Sequence, residues 1–500
     1  MDKKKGLLNV AVSVVFKVAT MVMAIVVKRM LILSCGNEVN GLNALYISII
    51  GFLSVAELGI GTAITFCMYK PIVDGDTGKV AALYHLFRKV YTTVGIIIFL
   101  GGLLLTPFIH YLAKDYAQIQ VNLYLTFFLV LVSTVLTYFF GADTALINAY
   151  KNNYITTSIS SGGILVQNAL QIIVLGCTGS FVWYLLCKIV AALLQWIVTG
   201  IITHRKHGAV LKCKQKVDAD TKKELLKNIK AMFTHKIGTL LVLTFDSVII
   251  SAFVGVIALG EYSNYTAIMG SMTGVIGLLF SSLTSVWGHL YAKEGKEVSR
   301  RYFELFHYIN FAVGMIFFLG YYAVIDNLVA ILFSEDLVVS GVLSAVITVN
   351  GFVQFMRKTP LIFRDVTGNF YYDRWKPLVE GIMNIVLSIL FVNIMGVPGV
   401  LTATIITNLV ICHSVEPYVL YKYAFDAPVK RYYLRNYGMI ALFVAVLALL
   451  SGIMWESDRQ GVQLLVNGTL SVCVSVTVCT LVLMRQPEAR KNLINLVRRR

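Results

Sequence analysis

Charged side chains are scarce in this 500-residue chain, where Asp, Glu, Lys and Arg together make up only 14% of the residues. A typical soluble domain carries about 25%. Hydrophobic residues reach 57%, and the mean hydropathy is +0.76. This composition excludes an ordinary soluble enzyme or binding domain and predicts a chain that lies mostly within a membrane.

Cysteines are few, and they form no pattern. The eight cysteines include no C-x-x-C pair, and no histidines stand near them at the spacing of a zinc site. We interpret them as small apolar packing residues. The sequence therefore predicts no disulfide framework, no bound metal and no organic cofactor.

Long polar segments are also lacking, because 204–235 is the only sizeable one. The rest of the chain consists of about fourteen apolar runs, each long enough to cross a hydrocarbon core about 30 Å thick. We predict spans at 8–33, 41–66, 90–112, 121–149, 156–176, 181–203, 236–258, 264–291, 305–333, 339–363, 378–395, 399–421, 437–455 and 462–484. No predicted outer loop exceeds about ten residues. We therefore predict no catalytic residues and a protein that is not an enzyme.

Acidic residues are outnumbered, with 26 Asp and Glu against 43 Lys and Arg and a net charge of +17. When the spans are threaded through a membrane, about 37 of the basic residues fall on one side, and only Lys114 and Arg459 fall on the other. This asymmetry predicts that both termini are cytoplasmic. Topology and attraction to anionic membrane lipids explain the basic excess, so we predict no nucleic-acid partner.

A weak internal repeat divides the chain. An offset of about 219 residues aligns "NGLNALYISIIG" with "LGEYSNYTAIMG", and each repeat holds six spans. Two repeats of six spans run parallel and are typical of alternating-access transporters. We predict an all-α polytopic membrane protein with a lobe at 1–203, a basic cytoplasmic loop at 204–235, a second lobe at 236–421, and two further helices with a basic tail at 422–500.

Cations lie inside the first span, where they are costly. Lys17 and Lys28 are eleven residues apart, hence about 20° apart around a helix and about 16 Å along it, and Arg29 is adjacent to Lys28. Lys28 and Arg29 could instead reach the outer headgroups. Lys17 lies too deep for that, so it faces protein or water, either in a cavity or in an ion pair with Glu57 or Asp143.

Acids within spans are the other candidates for function. Ser54, Glu57, Gly61 and Thr65 share one helix face, which predicts that Glu57 points inward. Asp246 lies on a polar face of the seventh span. Glu57, Asp246 and Asp143 of the fourth span could each take up a proton or sodium, or each could be a static partner for a lysine, which we favour for Asp143.

Several motifs in order resemble one family. They are "NEVNGLNALYISIIGFLSVAELGIGTAITFCMYKP", "KAMFTHKIG" with "IISAFVG" and "GEYSNYTAIM", "FRDVTGNFYYDRWKPLVEGIMN", and "EPYVLYKYAF". The stretch from about residue 7 to about 425 resembles the Wzx-like polysaccharide-export flippases of the multidrug, oligosaccharidyl-lipid and polysaccharide (MOP) exporter superfamily. This superfamily includes the MATE transporters.

The resemblance implies a substrate class and a cellular location. A Wzx-like flippase moves an oligosaccharide linked to a polyprenyl diphosphate from the cytoplasmic to the outer leaflet of a bacterial plasma membrane, for capsule, O-antigen or exopolysaccharide synthesis. Partners would include a polysaccharide polymerase and export machinery.

The resemblance also assigns roles to residues. Lys17, Lys28 and Arg29 would hold the diphosphate, helped by Arg357 or Lys358. It adds Glu380, within "KPLVEGIMN", to the cavity acids.

Two other functions compete with the flippase. A cation-coupled drug or solute antiporter would share the fold, but it would favour acids over lysines in the first lobe. An integral-membrane glycosyltransferase or polymerase would need a large loop with an acidic or metal-binding motif.

Overall fold

The computed structural model describes residues 3–57, 60–116, 119–213, 215, 217, 244–369, 372–457 and 459–484. Every secondary-structure element within these ranges is a helix, which confirms the predicted all-α polytopic fold. Ten of the described helices are long and apolar enough to cross a membrane. The chain divides into two compact units, an N-terminal unit of Met1–Gly260 and a C-terminal unit of Glu261–Arg500.

The N-terminal unit is a bundle of long apolar helices and shorter connecting ones. In chain order these are α1 (Lys3–Cys35), α2 (Asn37–Leu53), α3 (Ile60–Val73), α4 (Thr77–Leu105), α5 (Ile109–Leu112), α6 (Leu123–Phe139), α7 (Gly141–Ala149), α8 (Asn153–Thr178), α9 (Phe181–Lys212) and α10 (Thr244–Val254). Polar side chains fix where some of them begin. Asp76 caps α4 by accepting from the Lys79 amide at 2.9 Å, and Asn122 caps α6.

The second predicted span, 41–66, is interrupted. α2 ends at Leu53, a 3₁₀ turn covers Ser54–Glu57, and α3 begins at Ile60. At the bend the Ser54 hydroxyl donates to the Ile50 carbonyl at 2.9 Å, a bond that serine often makes where a helix bends. The interruption places Glu57 at the end of a short turn and not in the middle of a straight helix.

The C-terminal unit begins within a long helix, α11 (Val256–Leu332). Gly295, with φ of +81°, breaks α11 into two spans, and glycine adopts this backbone conformation without steric cost. The remaining helices are α12 (Gly341–Met356), α13 (Lys358–Thr367), α14 (Lys376–Met395), α15 (Val397–Thr407), α16 (His413–Val419), α17 (Lys430–Ile453) and α18 (Gln460–Met484). A π-helical turn, Asn408–Cys412, joins α15 to α16.

Aromatic side chains dominate the core of the C-terminal unit. The rings of Phe352 and Phe443 stack with centroids 3.7 Å apart, and Phe318 packs edge-on against Phe352 at 6.1 Å. All three side chains are fully buried. This cluster joins α11, α12 and α17, so α17 is part of the packed unit.

Tyr46 and Tyr265, which the 219-residue offset aligns, are both fully buried. The Tyr46 hydroxyl donates to the Leu123 carbonyl at 2.7 Å, and the Tyr265 hydroxyl donates to Asp326 at 2.6 Å. Tyr46 thus ties α2 to α6, and Tyr265 ties the part of α11 before Gly295 to the part after it.

The predicted lobe boundaries stay predictions. α9 continues past 203 to Lys212, but most of the loop 204–235 and the start of span 236–258 lie outside the described residues. Span 264–291 falls in the first part of α11, and span 339–363 is covered by α12 and α13.

Candidate functional site

A cavity of about 940 Å³ opens in the N-terminal unit. α3, α4, α6, α7 and the 3₁₀ turn supply most of its walls. Aromatic and hydroxyl side chains predominate in the lining, which includes Ser54, Glu57, Thr65, Phe66, Tyr69, Phe87, Tyr91, Thr134, Thr137, Tyr138, Thr144 and Asn148. The four residues that the sequence placed on one face, Ser54, Glu57, Gly61 and Thr65, all lie on this wall.

Glu57 is held in the wall by a tyrosine from α4. The Tyr91 hydroxyl donates a hydrogen bond to Glu57 Oε1, and the ring of Tyr138 lies 5.8 Å from that of Tyr91. Two glycines make room for Tyr91, because a Cβ at Gly61 would collide with its hydroxyl and a Cβ at Gly141 with its ring. The sequence indicated Glu57 but gave no sign of Tyr91, which is 34 residues away along the chain.

Asp143 is more buried than Glu57 and has a different hydrogen-bond partner. It is buried on α7 and accepts a hydrogen bond from the Tyr84 hydroxyl at 2.8 Å. The described hydrogen bond of Asp143 is therefore to a tyrosine, and its role as a static partner for a lysine stays a prediction. Asp246, the other acid predicted in this unit, is buried on α10.

The cations of the first span lie on α1. The half-buried Lys28 donates from Nζ to Asn40 Oδ1 at 2.9 Å, and Arg29 beside it is also half-buried. The amide of Asn40 is oriented by its own Nδ2, which donates to Asn37 Oδ1 at 3.1 Å and to the Gly260 carbonyl at 3.2 Å. The side chain of Lys17 lies outside the described residues.

The C-terminal unit brings Arg357 and Glu380 into one buried network. Arg357 donates from Nη2 to Glu416 at 2.7 Å and from Nη1 to Glu380 at 3.2 Å and to Asn408 at 2.6 Å. Lys376 Nζ lies 2.6 Å from Glu416 and 3.3 Å from Glu380. Two cations thus face two carboxylates, which compensates the cost of burying each charge.

The site residues predicted from the sequence did not include Lys376 and Glu416. The four-residue spacing of Lys376 and Glu380 on α14 is a helical pairing signal that the sequence carries. Glu416 joins the network only through tertiary packing, since Arg357 is 59 residues away along the chain.

Lys358 has a different environment from its neighbour Arg357. Its ammonium group lies 4.7 Å from the ring centroid of Phe355 and 5.6 Å from that of Phe280. Among the described residues, no carboxylate lies within 4.0 Å of Lys358. Its charge is therefore stabilised by cation–π contacts, and no described acid neutralises it.

Metal ligands do not cluster in the described part of the chain, where no three His, Cys, Asp or Glu side chains come together.

Sequence comparisons return no match, neither to a family model nor to a curated protein. Solved structures do match. The chain is similar to "Lipid II flippase MurJ, inward closed conformation", with a TM-score of 0.65 and 11% identity, over 94% of this chain and all of that one.

Two drug transporters are also similar. One is an inward-facing multidrug resistance MATE family transporter of the MOP superfamily, with a TM-score of 0.59, 14% identity, and coverage of 86% of this chain and 98% of that one. The other is the MATE multidrug transporter DinF-BH in complex with R6G, with a TM-score of 0.53, 16% identity, and coverage of 84% and 97%. At these identities the likeness establishes the fold, which is that of MOP-type transporters. The chain is a multi-pass membrane protein.

Proposed function

We propose that this protein is a flippase that moves an oligosaccharide linked to a polyprenyl diphosphate from the cytoplasmic to the outer leaflet by alternating access. The observation that carries the proposal is the fold likeness to a lipid II flippase, which extends over 94% of this chain. The Wzx-like motifs of the sequence support the same substrate class and a bacterial plasma membrane, and the charge asymmetry of the loops supports cytoplasmic termini. A polymerase and export machinery would act on the product.

Charge in the N-terminal unit supports an anionic substrate. A diphosphate cannot enter hydrocarbon without compensating cations, and one cation at about 4 Å contributes at most about 4 kcal/mol at an effective dielectric constant of about 20. Several cations are therefore needed, and α1 supplies Lys17, Lys28 and Arg29. In the C-terminal unit we favour Lys358 over Arg357, because the Arg357 guanidinium is already bonded to two carboxylates.

The cavity suits the sugar part of such a substrate. Tyrosine rings present flat apolar faces to sugar rings, and hydroxyl and amide groups bond to sugar hydroxyls. The same cavity contains both kinds of group, aromatic rings and hydrogen-bonding groups, in Tyr69, Tyr91, Tyr138 and Asn148. We further propose that Glu57 or Asp246 couples transport to a proton or sodium gradient.

Transport in proteoliposomes tests the proposal. A fluorescent oligosaccharide on a polyprenyl diphosphate is placed in the inner leaflet, and its appearance outside is measured as accessibility to a membrane-impermeant quencher. We expect protein-dependent movement of this lipid and none of the same lipid lacking the diphosphate. Equal movement of both lipids would contradict the proposal.

A cation-coupled drug antiporter is the second candidate, because the fold is also that of MATE transporters and Glu57 lies in the cavity. It predicts gradient-driven uptake of R6G into the same proteoliposomes. We expect no such uptake, since a cation would be repelled by the lysines of the N-terminal unit.

A further inference from the structure

Lys188, on α9, is a half-buried cation that the proposed function has not used. Its Nζ donates to Asn43 Oδ1 at 3.2 Å and lies 5.2 Å from the ring centroid of the buried Tyr184. Among the described residues, no carboxylate lies within 4.0 Å of Lys188. A lysine within a membrane span is costly unless it faces protein, water or an anion.

Lys28 and Lys188 both donate hydrogen bonds to side chains of α2. Lys28 bonds to Asn40 and Lys188 to Asn43, and these two asparagines are three residues apart on α2, hence neighbours on one helix face. Lys28 lies seven residues from the end of α1, and Lys188 lies seven residues from the start of α9. The Cys35 thiol donates to the Gly179 carbonyl at 3.3 Å, which brings those two helix ends together. The two ammonium groups therefore lie at a similar depth.

The start of α2 is held firmly against the start of α11. A Cβ at Gly41 would collide with the Val256 carbonyl, so only glycine permits this close approach of α2 to the start of α11. Asn37 adds a hydrogen bond from Nδ2 to the Ile257 carbonyl at 3.2 Å. Both lysines thus approach a fixed row of neutral amides.

These donors suit an oxyanion. An ammonium group has three donors, and the described residues accept from Lys188 only through Asn43. The Asn43 Nδ2 group has no described acceptor, so it adds a neutral donor beside the charge. Charge-assisted bonds from ammonium groups to phosphate oxygens are short and strong.

We infer that Lys188 and Lys28, on the Asn40–Asn43 face of α2, form a seat for a phosphate or diphosphate group. This inference rests on the proposed function in identifying the group as part of the lipid-linked substrate. The seat lies toward the α1–α2 turn, away from Lys17. It would receive the diphosphate after the deeper cations release it.

Binding of inorganic pyrophosphate to the purified full-length protein in detergent tests the seat without requiring transport. Isothermal titration calorimetry should give an affinity for the wild type that falls about tenfold in Lys188→Gln, the loss expected for one charge-assisted hydrogen bond. Asn43→Asp should have a similar effect, because the new carboxylate would pair with Lys188 and repel the anion. Lys89→Gln, which removes an exposed lysine of α4, should bind like the wild type.

Three results would overturn the inference. They are no pyrophosphate binding by the wild type, wild-type affinity in both Lys188→Gln and Asn43→Asp, or an equal loss in Lys89→Gln. A purely structural Lys188 would lower the melting temperature of Lys188→Gln and leave affinity unchanged in Asn43→Asp.

A polyprenyl diphosphate, titrated in the same detergent, distinguishes the lipid-borne group from the free anion. If the lipid binds no more tightly than pyrophosphate, the seat takes free anions and its assignment to the substrate is wrong. Failure of the proposed function would appear separately, as pyrophosphate binding that depends on Lys188 in a protein that does not move the lipid.

Discussion

The two units of this protein surround their cations with different chemistry. In the N-terminal unit, Lys188 donates to the neutral amide oxygen of Asn43 and has no carboxylate within 4.0 Å among the described residues, and Lys28 donates to the amide oxygen of Asn40. In the C-terminal unit, Arg357 and Lys376 are paired with carboxylates. An amide oxygen orients an ammonium group without cancelling its charge, whereas a carboxylate cancels it.

This difference indicates different roles. The network of Arg357, Lys376, Glu380 and Glu416 is electrically balanced and holds α12, α14 and α16 together, so we interpret it as structural. Lys188, in the N-terminal unit, has no described carboxylate beside it, so an anionic substrate would experience the field of its charge. Substitutions in the C-terminal network should therefore lower stability, whereas substitutions of the N-terminal lysines should lower substrate binding or transport.

The largest effect is expected in the C-terminal network. Glu416→Gln would leave Arg357 and Lys376 with Glu380 as their only carboxylate among the described residues. Removing one partner of a buried pair costs about 3 to 5 kcal/mol of folding free energy. Thermal unfolding followed by size-exclusion chromatography should show loss of folded protein.

Glu297→Gln provides the matched control. Glu297 pairs with Arg301 at 2.7 Å on an exposed helix surface, and such pairs contribute less than about 1 kcal/mol. Similar melting temperatures for the Glu416 and Glu297 variants would contradict a structural role for the network.

A smaller effect is expected at the cavity wall. Gly61→Ala would push its new methyl group into the Tyr91 hydroxyl, and overpacking of this kind costs about 1 to 3 kcal/mol. The double variant Gly61→Ala with Tyr91→Phe should recover part of the melting temperature, because the colliding oxygen is gone. Gly162→Ala is the control, since a Cβ there meets no atom within 4 Å. If Tyr91→Phe gives no recovery, the contact does not determine the cost.

The smallest structural effect is expected from neutralising Glu57 and Asp246, the acids proposed to couple transport to an ion gradient. Glu57→Gln keeps an oxygen that can accept from Tyr91, so the protein should stay folded. If Glu57 senses the gradient, transport by this variant should no longer respond to an imposed pH or sodium gradient. Asp246→Asn is measured in parallel, and an unchanged response in both variants would remove both acids from the coupling role.

Hydropathy predicted the helices well because lipid imposes a strong constraint on composition and length. It did not predict the break at Ser54–Glu57, because a 3₁₀ turn between two apolar helices leaves the apolar run intact. The face shared by Ser54, Glu57, Gly61 and Thr65 was predicted from helical spacing, and all four residues line the cavity in spite of the break.

Partners distant along the chain could not be predicted. Tyr91 beside Glu57 and Glu416 beside Arg357 are brought together by packing between helices, which a single sequence does not encode in its spacing. The sequence predicted that Arg357 helps to hold the diphosphate, but it could not predict that Glu380 and Glu416 already pair with this guanidinium.

If cations of the N-terminal unit carry the diphosphate, a variant that lacks these charges should not transport it. The variant replaces Lys17, Lys28 and Arg29 with Gln, and its control replaces the exposed Lys79, Lys89 and Lys151 with Gln, so both lose three charges. Movement of the fluorescent polyprenyl-diphosphate oligosaccharide is measured in proteoliposomes that contain equal amounts of folded protein. We predict that the first variant loses transport and that the control keeps it. A wild-type rate in the first variant would show that the diphosphate crosses without these charges.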